Sequence, residues 1–260
     1  MKLFYHEQGT GRTVVFLHGF PMDHTLWTAV SHRLSASYHV VTPDLRGFGR
    51  TPAENHTATM EAMADDISEL IQTQLKPEEP IVLCGLSMGG YVAMPFVRKY
   101  PHLLAGLILT NTRTTPDSPD VAANRLRTAE KLLTDGVEPL VAMMIPNLLG
   151  EWTLENEPEI VQNIRRMMLA QSPPGLAAAA RGMAQRPDTT ELLPKIPCPV
   201  LTVCGEEDRI SPPSEMDEMS QKIQNAVFSV IPKAGHLPPM ENPRPFCEIV
   251  ENFLQNILQK

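Results

Sequence analysis

The stretch that decides the fold is residues 80–94, PIVLCGLSMGGYVAM. Ile81-Val82-Leu83-Cys84 is a short apolar run of the kind that forms a buried strand. Tyr91, Val92 and Met94 open a partly apolar segment that reads as a helix. Between them, Ser87 sits among Gly85, Gly89 and Gly90. A strand that turns sharply into a helix needs small residues where the two elements approach. A serine at such a corner is held up as a nucleophile, and the following amide, Met88, lies at a helix N-terminus where developing negative charge is stabilised. The competing reading is a glycine-rich turn whose serine is incidental.

Outward from this corner the pattern alternates. Strand-like runs are RTVVFLHG (12–19), YHVVTPD (38–44), PIVLCG (80–85), LAGLILTN (104–111), PVLTVCG (199–205) and AVFSVIP (226–232). Residues 59–75 carry Met63, Ile67, Leu70, Ile71 and Leu75 at helical spacing. Residues 245–258 do the same with Phe246, Ile249, Val250, Phe253, Ile257 and Leu258. Strands alternating with helices predict an α/β fold: a mostly parallel sheet of about seven strands with helices on both faces. The opening KLFYHEQ is a candidate antiparallel edge strand. From about Pro116 to about Pro194 no strand pattern occurs, and apolar residues recur at helical spacing between prolines. The expected organisation is a core of residues 1–114 and 191–260, with a helical cap at 115–190 inserted between two sheet strands.

Composition narrows the function classes. With 260 residues the chain can bury one large α/β core. A formal net charge of −8 argues against nucleic acid as a partner, since phosphate binding needs a clustered basic surface. The N-terminus lacks the apolar stretch of a signal peptide, and no run is long enough to span a bilayer. Cys84, Cys198, Cys204 and Cys247 form no CxxC pair and are expected to be buried free thiols, which suits a reducing cytoplasm.

A serine nucleophile needs a base and an orienting acid. Asp208, in PVLTVCGEEDRISPP, and His236, in AVFSVIPKAGHLPPMENP, both follow the C-terminal ends of strand-like runs, the edge on which open α/β sheets carry their sites. The chain order Ser87, Asp208, His236 fits a serine triad on such a sheet. Glu206 and Glu207 compete with Asp208, which lies farthest into the loop. Asn111 ends another strand but, being an amide, cannot be the charged acid. A second oxyanion donor is expected after the first parallel strand, where the Phe20 amide follows His18-Gly19. His18 itself reads as a structural brace, and Asp44 and Arg46 in PDLRGFGRT as loop pins. No His, Cys and carboxylate cluster has metal-ligand spacing, so no metal and no cofactor is expected.

HGFPMDHTLW, PDLRGFGRT, GLSMGG, GEEDRISP and AGHLPPMENP together resemble the α/β-hydrolase superfamily. They are most similar to its compact cofactor-free branch of small carboxylesterases and 3-oxoadipate enol-lactonase-like hydrolases. The resemblance runs from residue 2 to 258, specific in the core and weak in the insertion. It implies Ser87 as nucleophile, His236 as base, Asp208 as acid, and the Phe20 and Met88 amides as oxyanion donors. It also implies that the first of the family's usual eight strands is missing. The expected activity is carboxylesterase-like hydrolysis of small neutral esters of short to medium chain through an acyl-enzyme. The alternatives are a lactone hydrolase, a C–C hydrolase of ring-cleavage products and a slow-turnover ligand sensor. The expected partner is a small ester or lactone substrate, with no nucleic acid and no membrane, and the protein is expected to be a monomer or homodimer. Met143, Met144, Ile145, Leu148, Leu149, Met167, Met168 and Met183 are candidates for an apolar pocket wall, though packing of the cap onto the core accounts for most of them. A lactonase would need one of Arg113, Arg125, Arg127, Arg165, Arg166 or Arg181 turned inward to meet a substrate carboxylate.

Overall fold

A computed structural model describes residues 1–53 and 56–258, without the side chain of Leu258. Among these residues the strands are β1 (Tyr5–Gln8), β2 (Thr13–Leu17), β3 (His39–Pro43), β4 (Ile81–Leu86), β5 (Leu104–Thr110), β6 (Val200–Gly205) and β7 (Val227–Ile231). They form one seven-stranded sheet in the order β1-β3-β2-β4-β5-β6-β7. Every pairing is parallel except β1 with β3, so the opening segment is the antiparallel edge strand its pattern suggested. The central strands β2, β4 and β6 are buried along their whole length, as their mostly apolar, charge-free composition suits strands covered on both faces. The two edge strands carry the exposed positions, including Val227 and Val230 in β7.

The helices are α1 (Thr28–Leu34), α2 (Met60–Glu69), α3 (Met88–Lys99), α4 (Pro119–Asp135), α5 (Glu138–Leu148), α6 (Glu151–Asn156), α7 (Pro158–Leu169), α8 (Pro173–Ala184), α9 (Pro213–Ser220), α10 (Pro238–Glu241) and α11 (Pro243–Leu258). Helix α1 packs on α11, and α2 packs on α3, which covers the two faces of the sheet. The apolar stripe of α11 does what its spacing predicts: Phe246, Val250, Phe253 and Leu254 are buried. Residues 59–75 are not one α-helix. Beyond Glu69 the chain widens into a π-helical turn, Leu70–Leu75, closed by Lys76 at φ 45°.

This topology gathers chemistry at one edge. His18 follows β2, Ser87 follows β4, Asn111 follows β5, Asp208 follows β6, and His236 lies beyond β7. All of these strands point the same way, so residues up to 218 positions apart arrive at a common rim.

Helices α4 to α8 lie between β5 and β6, where the sequence showed no strand pattern. The two chain segments that enter and leave this insertion are fastened together. Thr189 N donates to Thr114 O at 3.0 Å, and the Thr114 and Thr190 hydroxyls meet at 3.0 Å. Arg186 donates to Thr115 O at 3.1 Å, pairs with Asp117 at 2.8 Å and stacks over the Tyr91 ring at 4.1 Å. Asp117 also accepts from Arg125. Burial pushes the Asp117 carboxyl up, but the hydrogen bonds and charges of Arg125 and Arg186 outweigh it and hold the group below its ordinary value. A depressed carboxylate stabilises the fold above its unfolded pKa, and that stabilisation is lost as pH falls through the folded pKa. Asp117→Asn leaves Arg186 buried without its counter-charge and is expected to cost about 3 kcal/mol at neutral pH. The deficit should shrink as pH falls from the ordinary carboxylate value through the depressed folded one, where the wild-type carboxyl is itself protonated. Urea midpoints of both proteins at neutral pH and through that fall check this.

Candidate active site

Ser87 stands at the tip of the turn from β4 into α3 with φ 53° and ψ −113°, a backbone conformation that L-residues rarely adopt. The turn is locked by its own backbone. Ser87 N donates to Thr110 O at 2.9 Å, and Ser87 O accepts from the Thr112 hydroxyl at 2.8 Å. The flanking glycines are needed for close approach: a Cβ on Gly85 would run into the Gly89 carbonyl, and one on Gly89 into the Leu17 carbonyl. The motif is therefore a strained strand–turn–helix corner and not a loose glycine turn.

The structure brings together the three side chains singled out from the sequence. Ser87 Oγ lies 2.8 Å from His236 Nε2, and His236 Nδ1 lies 2.8 Å from Asp208 Oδ2. Asp208 and His236 are buried, at 4 % and 2 % exposure, while Ser87 is half-buried and accessible. Asp208 receives three donors: His236 Nδ1, Asn111 Nδ2 at 2.7 Å, and the Ile210 amide at 2.8 Å. Burial raises its pKa, but the charge and hydrogen bond of His236, followed by the bonds from Asn111 and Ile210, bring the carboxyl below its ordinary value. An ionised acid that accepts from Nδ1 keeps the imidazole proton on that nitrogen and leaves Nε2 free to accept from a hydroxyl.

Asn111 is the residue whose part the sequence left unread. It is buried at φ 45° at the end of β5, beside β6, and its amide donates to both Asp208 and Gly235 O. Its position at a strand end was legible; its contact with a residue 97 positions away was not. The competing acids lie elsewhere. Glu206 is exposed and accepts from the Lys233 amide, whereas Glu207 accepts from the Trp152 amide of α6 at 3.1 Å.

The loop after β2 lies against the corner. A Cβ on Gly19, the residue before Phe20, would come within 3.2 Å of Ser87 Cβ. Among the described residues neither the Phe20 nor the Met88 amide donates to a protein acceptor. His18 braces this loop: it is fully buried, its Nδ1 donates to Gly19 O at 3.0 Å, and its Nε2 accepts from the Leu45 amide at 3.0 Å. Burial lowers its pKa, in keeping with a neutral ring that donates once and accepts once. Asp44 and Arg46 pin loops as expected. Asp44 accepts from His24 N, His24 Nδ1 and the Arg50 amide, and Arg46 forms a forked pair with Asp66. Asp23, His24 and Asp44 do converge, an arrangement the linear spacing hid. Asp23 takes Thr25 N on one oxygen and Gln171 Nε2 on the other, so both carboxylates are occupied by hydrogen-bond donors.

In the insertion, Ile145, Leu148, Leu149, Met168 and Met183 are buried as packing residues, Met143 is exposed on the outside, and Met144 and Met167 are half-buried. Of the six arginines, Arg113 pairs with Glu215, Arg125 with Asp117, Arg165 with Glu138 and Arg181 with Glu130. Arg166 meets Asn163, and Arg127 is exposed along a groove between α4 and α5. All four thiols are free; Cys84, Cys204 and Cys247 are buried, whereas Cys198 is half-buried, contrary to the expectation for it. Burial raises every one, to about 12 at Cys198 and Cys204 and about 11 at Cys247, so none offers a competing thiolate. No helix among the described residues is long and apolar enough to cross a membrane.

The chain is similar along nearly its whole length to known hydrolases. A thermophilic esterase from Thermogutta terrifontis, solved with malate bound, is 48 % identical with a TM-score of 0.96, covering 98 % of this chain and 93 % of that one. The enol-lactonase from Burkholderia xenovorans LB400 is 26 % identical with a TM-score of 0.89, covering 97 % and 96 %. A pimeloyl-[acyl-carrier protein] methyl ester esterase of Aeromonas hydrophila subsp. hydrophila is 25 % identical over 98 % of this chain and all of its own length. Residues 14–249 match the alpha/beta hydrolase family, and with its seven-stranded sheet and strained serine corner the chain belongs to that family.

Proposed function

We propose that this hydrolase cleaves small neutral carboxylic esters through an acyl-enzyme on Ser87. The observation that carries the reading is the unbroken chain of 2.8 Å hydrogen bonds from Ser87 Oγ through His236 to Asp208. His236 Nε2 takes the Oγ proton as Oγ attacks the ester carbonyl, and Asp208 stabilises the imidazolium. The Phe20 and Met88 amides donate to the oxyanion. Collapse expels the alcohol, which takes the proton from His236. Water, deprotonated by the same nitrogen, then attacks the acyl carbonyl; its hydroxyl stays on the acid released, and its proton returns to Ser87 Oγ. Residues 115–190 act as the cap over this rim and select the acyl group, while residues 1–114 and 191–260 form the catalytic core.

The preference for a neutral acyl group rests on the arginines. Arg113, Arg125, Arg165 and Arg181 each have a carboxylate of the protein already in reach. At those four positions a substrate carboxylate would have to displace the protein's own, and the remaining two, Arg127 and Arg166, lie at exposed positions of the insertion. Rates on p-nitrophenyl acetate, butyrate and octanoate should be compared with those on an acyl chain ending in a carboxylate. We expect kcat/KM for the best neutral chain to exceed that for the anionic one by about ten-fold or more. A preference for the anionic chain, abolished by replacing one of the six arginines, would replace this reading with a lactonase acting on a carboxylated ring.

A further inference from the structure

The loop that carries His236 is held by a side chain that takes no part in proton transfer. Pro238 and Pro239 start the short helix α10, and its last residue, Glu241, falls five positions after His236. Glu241 is buried, at 6 % exposure. Its Oε1 accepts from the amides of Gly235 at 3.0 Å and Leu237 at 2.9 Å, the two residues on either side of His236. Its Oε2 accepts from the Gly150 amide at 2.7 Å and the Thr153 hydroxyl at 2.8 Å, both in the insertion. All four partners are neutral donors. Two oxygens that only accept match them bond for bond; an amide side chain in the same place would turn donors against donors.

The same corner is tied twice more. The His236 amide donates to Leu148 O at 2.7 Å, and Glu207 accepts from the Trp152 amide. Gly150 and Gly235 touch so closely that a Cβ on Gly150 would come within 2.9 Å of the Gly235 amide nitrogen. The α5–α6 corner of the insertion and the loop bearing the base thus form one joint, with Glu241 bonded to both sides of it and Glu207 at its edge. Burial pushes the Glu241 carboxyl above its ordinary value, and the four donors pull against that rise.

We propose that Glu241 is a positioning residue for ester hydrolysis: it fixes the His236 ring between Ser87 and Asp208 and makes that alignment depend on a seated cap. This rests on the acyl-transfer reading above. The test follows two rates in the intact protein, turnover of p-nitrophenyl butyrate and covalent labelling of Ser87 by a fluorophosphonate. In Glu241→Gln both should fall about ten- to a hundred-fold, because displacing a reacting group by about 1 Å costs on that order. KM should stay within about two-fold. A residue that served only to hold the fold together would lower the unfolding temperature and leave the labelling rate of the folded fraction unchanged. A folded Glu241→Gln protein labelled at the wild-type rate therefore overturns the proposal. Should that variant not fold, Thr153→Val decides. It removes one donor on the cap side without touching the triad, and labelling should slow several-fold; a wild-type rate overturns the proposal. Turnover or labelling that survives in Ser87→Ala overturns the acyl-transfer reading and this inference together. Silence in Ser87→Ala with a wild-type rate in Glu241→Gln counts against Glu241 alone.

Discussion

Ser87→Ala is expected to lower kcat on p-nitrophenyl esters by about a thousand-fold or more while leaving the protein folded. The first half of this expectation follows from the way a nucleophile and its base act as a unit, so that removing either abolishes covalent catalysis and leaves only the contribution of binding and the oxyanion donors. The second half follows from the local geometry. At φ 53° the backbone already accommodates the serine Cβ, and alanine keeps that atom. The bonds that lock the corner, from Ser87 N to Thr110 O and from Thr112 Oγ1 to Ser87 O, belong to the main chain of residue 87 and survive the change. Only the contact from Oγ to His236 Nε2 is lost, on the solvent-accessible side of the ring. The unfolding midpoint should therefore change little, and circular dichroism with steady-state kinetics checks both halves. A folded alanine variant that retained most of its activity would remove the serine from the mechanism.

Asp208→Asn should cost about a thousand-fold in kcat near neutral pH. Asp208 is surrounded by donors alone: His236 Nδ1 and Asn111 Nδ2 on one oxygen, and the Ile210 amide on the other. An asparagine has one acceptor and one donor to offer. If its NH₂ faces the ring, Nδ1 must accept, and the imidazole proton moves to Nε2, where it blocks attack by Ser87. If it faces Ile210 instead, the tautomer survives, but a buried donor meets a donor and the imidazolium loses its counter-charge. Both orientations slow proton transfer. Glu207→Gln is the control, since Glu207 touches the Trp152 amide at the insertion and not His236; its activity should stay within a few-fold of wild type. The reverse pattern, an active Asp208→Asn and an inactive Glu207→Gln, would move the acid to Glu207.

What could be read in the chain and what could not divide along sequence distance. The strand runs and the G-x-S-x-G corner are local, because period and glycine placement are set by neighbours in sequence; β4 and α3 flank Ser87 as their pattern predicts. Asp208 and His236 were legible because an α/β sheet sends its strand ends to one rim, a rule of topology that turns chain order into position. Contacts with no such rule stayed hidden. Asn111 reaches Asp208 across 97 residues and Glu241 reaches Gly150 across 91, and nothing in the composition of either segment encodes the meeting. The methionine-rich helices illustrate a different limit. Periodicity marks Met168 and Ile164 as apolar-face residues, yet a helix in an insertion has both a core side and a rim side, and spacing alone does not say which a side chain meets. The π-helical turn after Glu69 falls in the same class, since its apolar spacing reads as a continued α-helix.

The fastening of Thr114 to Thr189 and Thr190 has a practical reach. Because the chain leaves and re-enters the core at one point, the 74 residues from Thr115 to Asp188 close a loop whose ends meet whatever lies between them. Loop-closure entropy grows only logarithmically with length, so the core is nearly indifferent to how long that segment is. A foreign helical segment spliced between Thr114 and Thr189, and carrying a hydroxyl and a glycine amide where Thr153 and Gly150 now stand, would find its attachment points ready made. With the insertion selecting the acyl group, as proposed above, substrate choice becomes an exchangeable cassette, and a library of such segments on one unaltered core tests that role directly.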